Sequence, residues 1–185
     1  MRAAAAVLAV FLSAALTVHA AATDSDIVVY VRKDGPVISV EVRCPVEAPT
    51  SVLWDVLTDY DHMARFISNL ESSRIDQRVD DLLRVHQKGH ASRGPLSISF
   101  EIVREIRLVP FNEIRSRLVS GDLASSTFVT KIVEGAGGPR IEHSGSYTPN
   151  LWVPPIIGPA LIEAETRKQF AEFRTEILRR AASTH

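Results

Sequence analysis

Apolar residues recur along this chain at two different periods. "DIVVYVRKDGPVISVEVRC" holds two β-rich runs around Asp34–Gly35, and Asp-Gly between alternating runs predicts a hairpin. In "PVEAPTSVLWDVLTDY" the period becomes helical. Val52, Leu53, Val56 and Leu57 share a face, Pro49 stands near the start, and Thr50 or Ser51 is placed to cap it. "DHMARFISNLESS" predicts a second short helix with Met63, Phe66, Ile67 and Leu70 on one side. From Ser73 the period returns to two. "SRIDQRVDDLLRVHQKGHA" reads as two strands around Asp80–Asp81, and "GPLSISFEIVREIRLVP" alternates with Leu96, Ile98, Phe100 and Ile102 on one face. "NEIRSRLVSGDL", "SSTFVTKIVEGAGG" and "PRIEHSGSYTP" predict three more strands, bounded by Gly, Pro, Asn or Asp. "IIGPALIEAETRKQFAEFRTEILRRAAS" then predicts one long helix, striped by Leu161, Ile162, Glu165, Phe170, Phe173, Ile177 and Leu178.

Short connections between strands imply antiparallel neighbours, and single-face alternation implies a sheet covered on one side. The predicted architecture is therefore α+β. A strongly bent antiparallel sheet of about seven strands wraps a long C-terminal helix, with two short helices after the first strands. Such layers do not close completely, which favours an apolar cleft between helix and sheet.

The beginning of the chain does not fit this pattern. "MRAAAAVLAVFLSAALTVHAAATDS" has one Arg, an apolar run and then small residues, with Val18–His19–Ala20 or Ala22 at a cleavage position. Residues 1–20 are read as a secretory signal peptide, because Ala3 to Val18 is shorter than the ~20 residues of a membrane span. Residues 21–36 form an N-terminal strand or hairpin extension, and 37–181 a single domain. The expected location is periplasmic or secreted. The 185 residues carry 45% hydrophobic and 23% charged residues and a net charge of -1, with no basic tract. Nucleic acid is therefore not an expected partner. The one cysteine, Cys44, has no internal disulfide partner and is expected to behave as a small buried apolar residue.

With the elements placed, "VEVRCPVEAPTSVLWDVLTDYDHMARFISNLESSRI" resembles the opening of the START-like, Bet v 1-like (SRPBCC) superfamily. More narrowly it is similar to the polyketide cyclase/dehydrase and coenzyme-Q-binding START branch. The matching positions are Ala48, Pro49, Val52, Trp54, Leu57, Asp59, Tyr60, Phe66 and Ser73, with "LVSGDL" and "FAEFRTEILRR" further on. The resemblance runs from Val37 to Arg180. It implies a helix-grip fold, a seven-stranded sheet gripping the C-terminal helix around an apolar pocket. Function varies widely on this fold.

Asp59–Tyr60–Asp61–His62 gathers two carboxylates and an imidazole. Adjacent residues at a helix start point in different directions and do not converge on one ion. The expected role is a hinge: Thr58 or Asp59 caps the second helix, and Asp61 favours its dipole. No metal and no cofactor is expected. His143 and Tyr147 share a face with Ile141 and Gly145, Gln87 goes with Leu83 and Val85, Thr130 with Phe128, and Ser116 with Ile114. These are the polar groups expected to look inward, either to orient a ligand or as a satisfied buried set. Arg104, Arg107, Arg115 and Arg117, with Glu101, Glu105 and Glu113, read as a solvated sheet face, with an anion-binding surface as the alternative. "PNLWVPPIIGPALIE" before the long helix reads either as a lid touching a membrane through Trp152, Ile156 and Ile157, or as a plug of the core.

The candidate ligand-binding residues are Trp54, Tyr60, Phe66, Gln87, Phe100, Phe128, His143, Tyr147, Trp152 and Phe170. The expected function is an exported binding or carrier protein for a hydrophobic small molecule such as a lipid, quinone or isoprenoid, with transient membrane contact. Two alternatives stand beside it: a cyclase or aromatase-type enzyme using the same pocket, with no catalytic motif to carry over, and an envelope interaction module.

Overall fold

The computed structural model describes residues 26–93, 96–150 and 157–183. Strands β1 (Val28–Asp34) and β2 (Val37–Pro45) form the predicted hairpin. It turns at Gly35, whose φ of +55° lies in the region that favours glycine. On β2 the buried residues Ile38, Val40, Val42 and Cys44 alternate with more accessible ones, so one face of the hairpin is core.

Helix α1 (Thr50–Leu57) buries Leu53, Trp54, Val56 and Leu57. Pro49, not Thr50 or Ser51, occupies its N-cap, and its carbonyl accepts from the N–H groups of Val52 and Leu53. The Thr50 hydroxyl instead reaches across to Glu134. The second helix is shorter and tighter than the pattern predicts. It is a 3-10 helix over Tyr60–Arg65, burying Tyr60 and Met63, and Leu70 already begins a strand. Asp59 stands at its N-cap position, but its side chain makes no cap bond. Its carboxylate meets His62 Nδ1 at 2.7 Å and accepts from Arg180 at 2.8 Å. Asp61 accepts from the Ile75 N–H at 2.7 Å. The two acids fasten the 3-10 helix to its neighbours rather than cap it.

The remaining strands run as a meander: β3 (Leu70–Val79), β4 (Leu82–Arg93), β5 (Leu96–Val109), β6 (Glu113–Gly121), β7 (Leu123–Val133) and β8 (Arg140–Pro149). The sheet has eight strands rather than about seven, in the order β1-β2-β8-β7-β6-β5-β4-β3, all antiparallel. The additional strand is β1, which pairs only with β2 and forms an edge. The two helical segments carry the chain from β2 to the far edge at β3, and the meander returns until β8 pairs with β2.

Helix α2 (Ile157–Ala182) lies across the concave face. Leu161, Phe170, Phe173 and Ile177 are buried, whereas Leu178 is 38% exposed and leaves the predicted stripe. The two residues are adjacent, so a helix that turns Ile177 inward must turn Leu178 about 100° away. Two arginines tie the start of the described chain to this helix. Arg167 donates to the Ile27 carbonyl, and Arg174 meets Asp26 at 2.7 Å. Cys44 is fully buried under Phe170. The core is dense where α1 and the C-terminal half of α2 meet the sheet, around Leu53, Val56, Ile106, Ile141 and Ile177. Toward the N-terminal half of α2 the packing opens into a cavity.

Candidate functional site

The cavity lies between the concave face and α2 and has a volume of about 400 Å³. That is within the range of small-ligand pockets. Its walls follow from period-2 alternation on the curved strands. Ile98, Phe100 and Ile102 come from β5, Phe128 and Thr130 from β7, His143 and Tyr147 from β8, and Leu161, Ile162, Phe170 and Phe173 from α2. Tyr60 and Met63 of the 3-10 helix close one side.

One strand position makes room for this wall. Gly145 faces both Val40 and Phe128 across the sheet. A Cβ at Gly145 would collide with the Thr127 carbonyl oxygen and the Phe128 ring. Glycine lets the Phe128 ring lie over β8, where it stacks on the His143 imidazole at 4.7 Å and 10° between planes.

Two polar groups interrupt the apolar lining. At the first, Thr130 Oγ1 and His143 Nδ1 are 2.8 Å apart, and the imidazole is sandwiched between Phe128 and Phe170. Burial, reinforced by the Arg104 charge, lowers the His143 pKa to about 4. The ring is therefore neutral at pH 7. Burial alone pushes the Tyr147 phenol up to about 12.

The second polar group centres on Arg104. The guanidinium donates to Gln87 Oε1 and, at 3.5 Å, to Ser116 Oγ. Gln87 Nε2 in turn donates to Ser73 Oγ at 3.0 Å and approaches Met63 Sδ at 3.5 Å. Burial holds the Arg104 pKa below its usual value, and burial raises that of Tyr60 to about 12 against the pull of the same guanidinium. The Asn69 Oδ1 atom, on a residue that also lines the cavity, is buried without a hydrogen-bond partner among the described residues.

Of the residues singled out in the sequence, Tyr60, Gln87, Phe100, Phe128, His143, Tyr147 and Phe170 come together on this wall. Trp54 does not. It is buried away from the cavity and packs on the exposed Phe111, 5.7 Å between centroids. Phe66 also stands apart, against Phe173 at 6.1 Å and under the Arg180 guanidinium at 5.5 Å. Both are displaced for the same reason: helical periodicity names an inward face but not which part of the core it meets. Trp152 and residues 151–156 of the Pro-rich stretch lie outside the described residues.

Arg104 is a correction. On the outer face Arg117 is bidentate to Glu105 at 2.7 and 2.8 Å and Arg115 lies on Glu113. Arg104 belongs to the other face, in phase with Ile98, Phe100, Ile102 and the buried Ile106. The alternation on β5 sets this phase, whereas the run of charged residues around Arg104 hides it. Among the described residues no cluster of three or more His, Cys, Asp and Glu is placed to hold a metal ion. Nor is any described helix long and apolar enough to cross a membrane.

A curved antiparallel sheet closed on one long helix around a ligand-sized void defines the helix-grip class. The chain belongs to the family described as polyketide cyclase / dehydrase and lipid transport, which matches residues 46–168. No curated protein matches the chain in sequence. Solved structures match it throughout the domain. A STAR-related lipid transfer protein from Xanthomonas axonopodis is 13% identical with a TM-score of 0.68, the match covering 85% of this chain and 97% of that one. A START superfamily protein from Mycobacterium smegmatis is 14% identical, TM-score 0.63, with 78% and 99% covered. The Zhui aromatase/cyclase from Streptomyces sp. R1128 is 14% identical, TM-score 0.62, with 79% and 94% covered. At such identities the likeness establishes the fold. Family and fold together make this a START-like domain with a site for a hydrophobic ligand.

Proposed function

We propose that the protein is an exported carrier that encloses a hydrophobic small molecule such as a lipid, quinone or isoprenoid. The observation that carries the reading is the cavity of about 400 Å³ between sheet and helix, lined mainly by aliphatic and aromatic side chains. Burial of a ligand's apolar surface there contributes ~25 cal/mol per Å² before ordering costs. Export rests on the leader-like residues 1–20, which lie outside the described residues. The apolar stretch 149–163 is the proposed portal, in transient contact with a membrane during loading.

The same family name covers cyclases, and the Zhui neighbour is described as an aromatase/cyclase. The pKa values of His143 and Tyr147 favour binding over proton transfer. A general acid or base works best with a pKa near the working pH. Here the imidazole sits at about 4 and the phenol at about 12, and both stay neutral at pH 7.

Native mass spectrometry of the protein isolated from the periplasm tests this directly. The expected spectrum shows a shortened N-terminus near Ala20 to Ala22 and a bound apolar molecule. A protein that is bare, and that takes up no lipid, quinone or isoprenoid from a panel, would remove the carrier reading.

A further inference from the structure

We propose that the cavity receives an amphipathic ligand with a carboxylate head, and that Arg104 anchors the head. This rests on the carrier reading and adds the chemistry of the ligand's polar end. A guanidinium is charged at any physiological pH and offers five N–H donors. In this protein Arg104 lines an otherwise mostly apolar cavity, and its hydrogen-bond partners Gln87 and Ser116 are uncharged. Its Nε is buried with no hydrogen-bond partner among the described residues. Asp122 and Glu165 also border the cavity, yet neither pairs with it; Asp122 is taken up by the Glu101 N–H at 2.7 Å.

The contrast with neighbouring arginines on the same strands is direct. Arg117 and Arg115 point outward and are matched by Glu105 and Glu113. Arg104, on the inward face, has no carboxylate partner among the described residues. Buried charges are ordinarily paired, because taking an ion out of water costs several kcal/mol. A ligand carboxylate supplies the missing partner in the geometry a guanidinium fork prefers. Gln87 helps set the fork, since Ser73 and Met63 hold its amide so that Oε1 faces Arg104. The aliphatic tail then runs along Ile98, Phe100 and Ile102 on the strand that carries the anchor.

The test is calorimetric titration of the mature protein, stripped of co-purifying ligand, with dodecanoate, dodecanol and methyl dodecanoate. Dodecanoate is expected to bind about tenfold to a hundredfold more tightly than the other two, the scale of a charge-assisted hydrogen bond. Arg104→Met is expected to erase that preference while leaving dodecanol affinity within a few-fold, and Arg104→Lys to retain part of it. Equal or weaker binding of the carboxylate by the wild-type protein overturns the proposal and leaves the carrier reading intact. So does a preference that survives in Arg104→Met. If none of the three binds, this inference is overturned, whereas the carrier reading falls only if the quinones and isoprenoids of the wider panel fail as well. The wild-type ratio needs no variant, so a failure of Arg104→Met to fold does not obscure the result.

Discussion

At the scale of single residues, His143 couples folding stability to pH. Its imidazole is held neutral by burial and by the Arg104 charge, with a pKa of about 4 against 6.5 for an ordinary histidine. The unfolded chain therefore binds a proton that the folded chain refuses between those values. Stability is expected to be full above pH 6.5 and to fall by about 3 kcal/mol as the pH drops to 4. Urea unfolding across this window checks it, with His143→Gln expected to flatten the dependence. Glu176 acts in a different window. Arg179 and Arg180 lower its carboxyl to about 2, so its contribution is lost only as the pH falls from 4.5 through 2.

At the scale of elements, the 3-10 helix closes one side of the cavity with Tyr60 and Met63. It has a single buried tyrosine and methionine and sits at the border of the void. Its attachment is electrostatic as much as apolar. Asp59 meets Arg180 of α2, and Arg180 also meets Glu176 at 2.7 Å and lies over Phe66. These groups are partly solvated, so the Asp59–Arg180 pair is worth roughly 0.5–1 kcal/mol. Asp59→Asn is expected to change global stability by no more than that. Amide exchange over residues 60–66 is expected to rise severalfold, because one of the two carboxylates that fasten this short 3-10 helix is lost. Unchanged exchange there would show that Tyr60 and Met63 suffice as anchors.

At the scale of the whole molecule, the buried core is one continuous cluster, and Val40, Leu57, Ile114, Phe170 and Phe173 belong both to it and to the cavity wall. Ile102 lines the cavity without belonging to that cluster. Ile102→Trp places an indole into that void from a central strand. It is expected to abolish uptake of hydrophobic ligand while the melting temperature holds or rises, since added contacts replace empty space. For the wild-type protein, a ligand present at 100 times its Kd is expected to add about 2.7 kcal/mol to unfolding, read as a raised melting temperature. Loss of uptake together with a collapse of the melting temperature in Ile102→Trp would mean that the cavity region is part of the folding core.

Much of this architecture was legible in the chain itself. The change from period two to a helical period located both helices, and Asp34–Gly35 and Asp80–Asp81 marked turns that the structure contains. The inward phases of Gln87, Phe128, His143 and Tyr147 also followed from alternation, because successive side chains of a strand must take opposite faces. What alternation cannot express is distance between elements that are far apart in sequence. Whether Trp54 and Phe66 meet the void or the packed core depends on where α2 crosses the sheet. The role of Asp59 depends on Arg180, 121 positions away. Arg104 shows the division most clearly. Its phase was written in β5, but that it stands inside a cavity without a carboxylate partner among the described residues emerges only once β4, β6 and α2 surround it. Local sequence sets which face a side chain takes; only the closed sheet and helix decide what that face encloses.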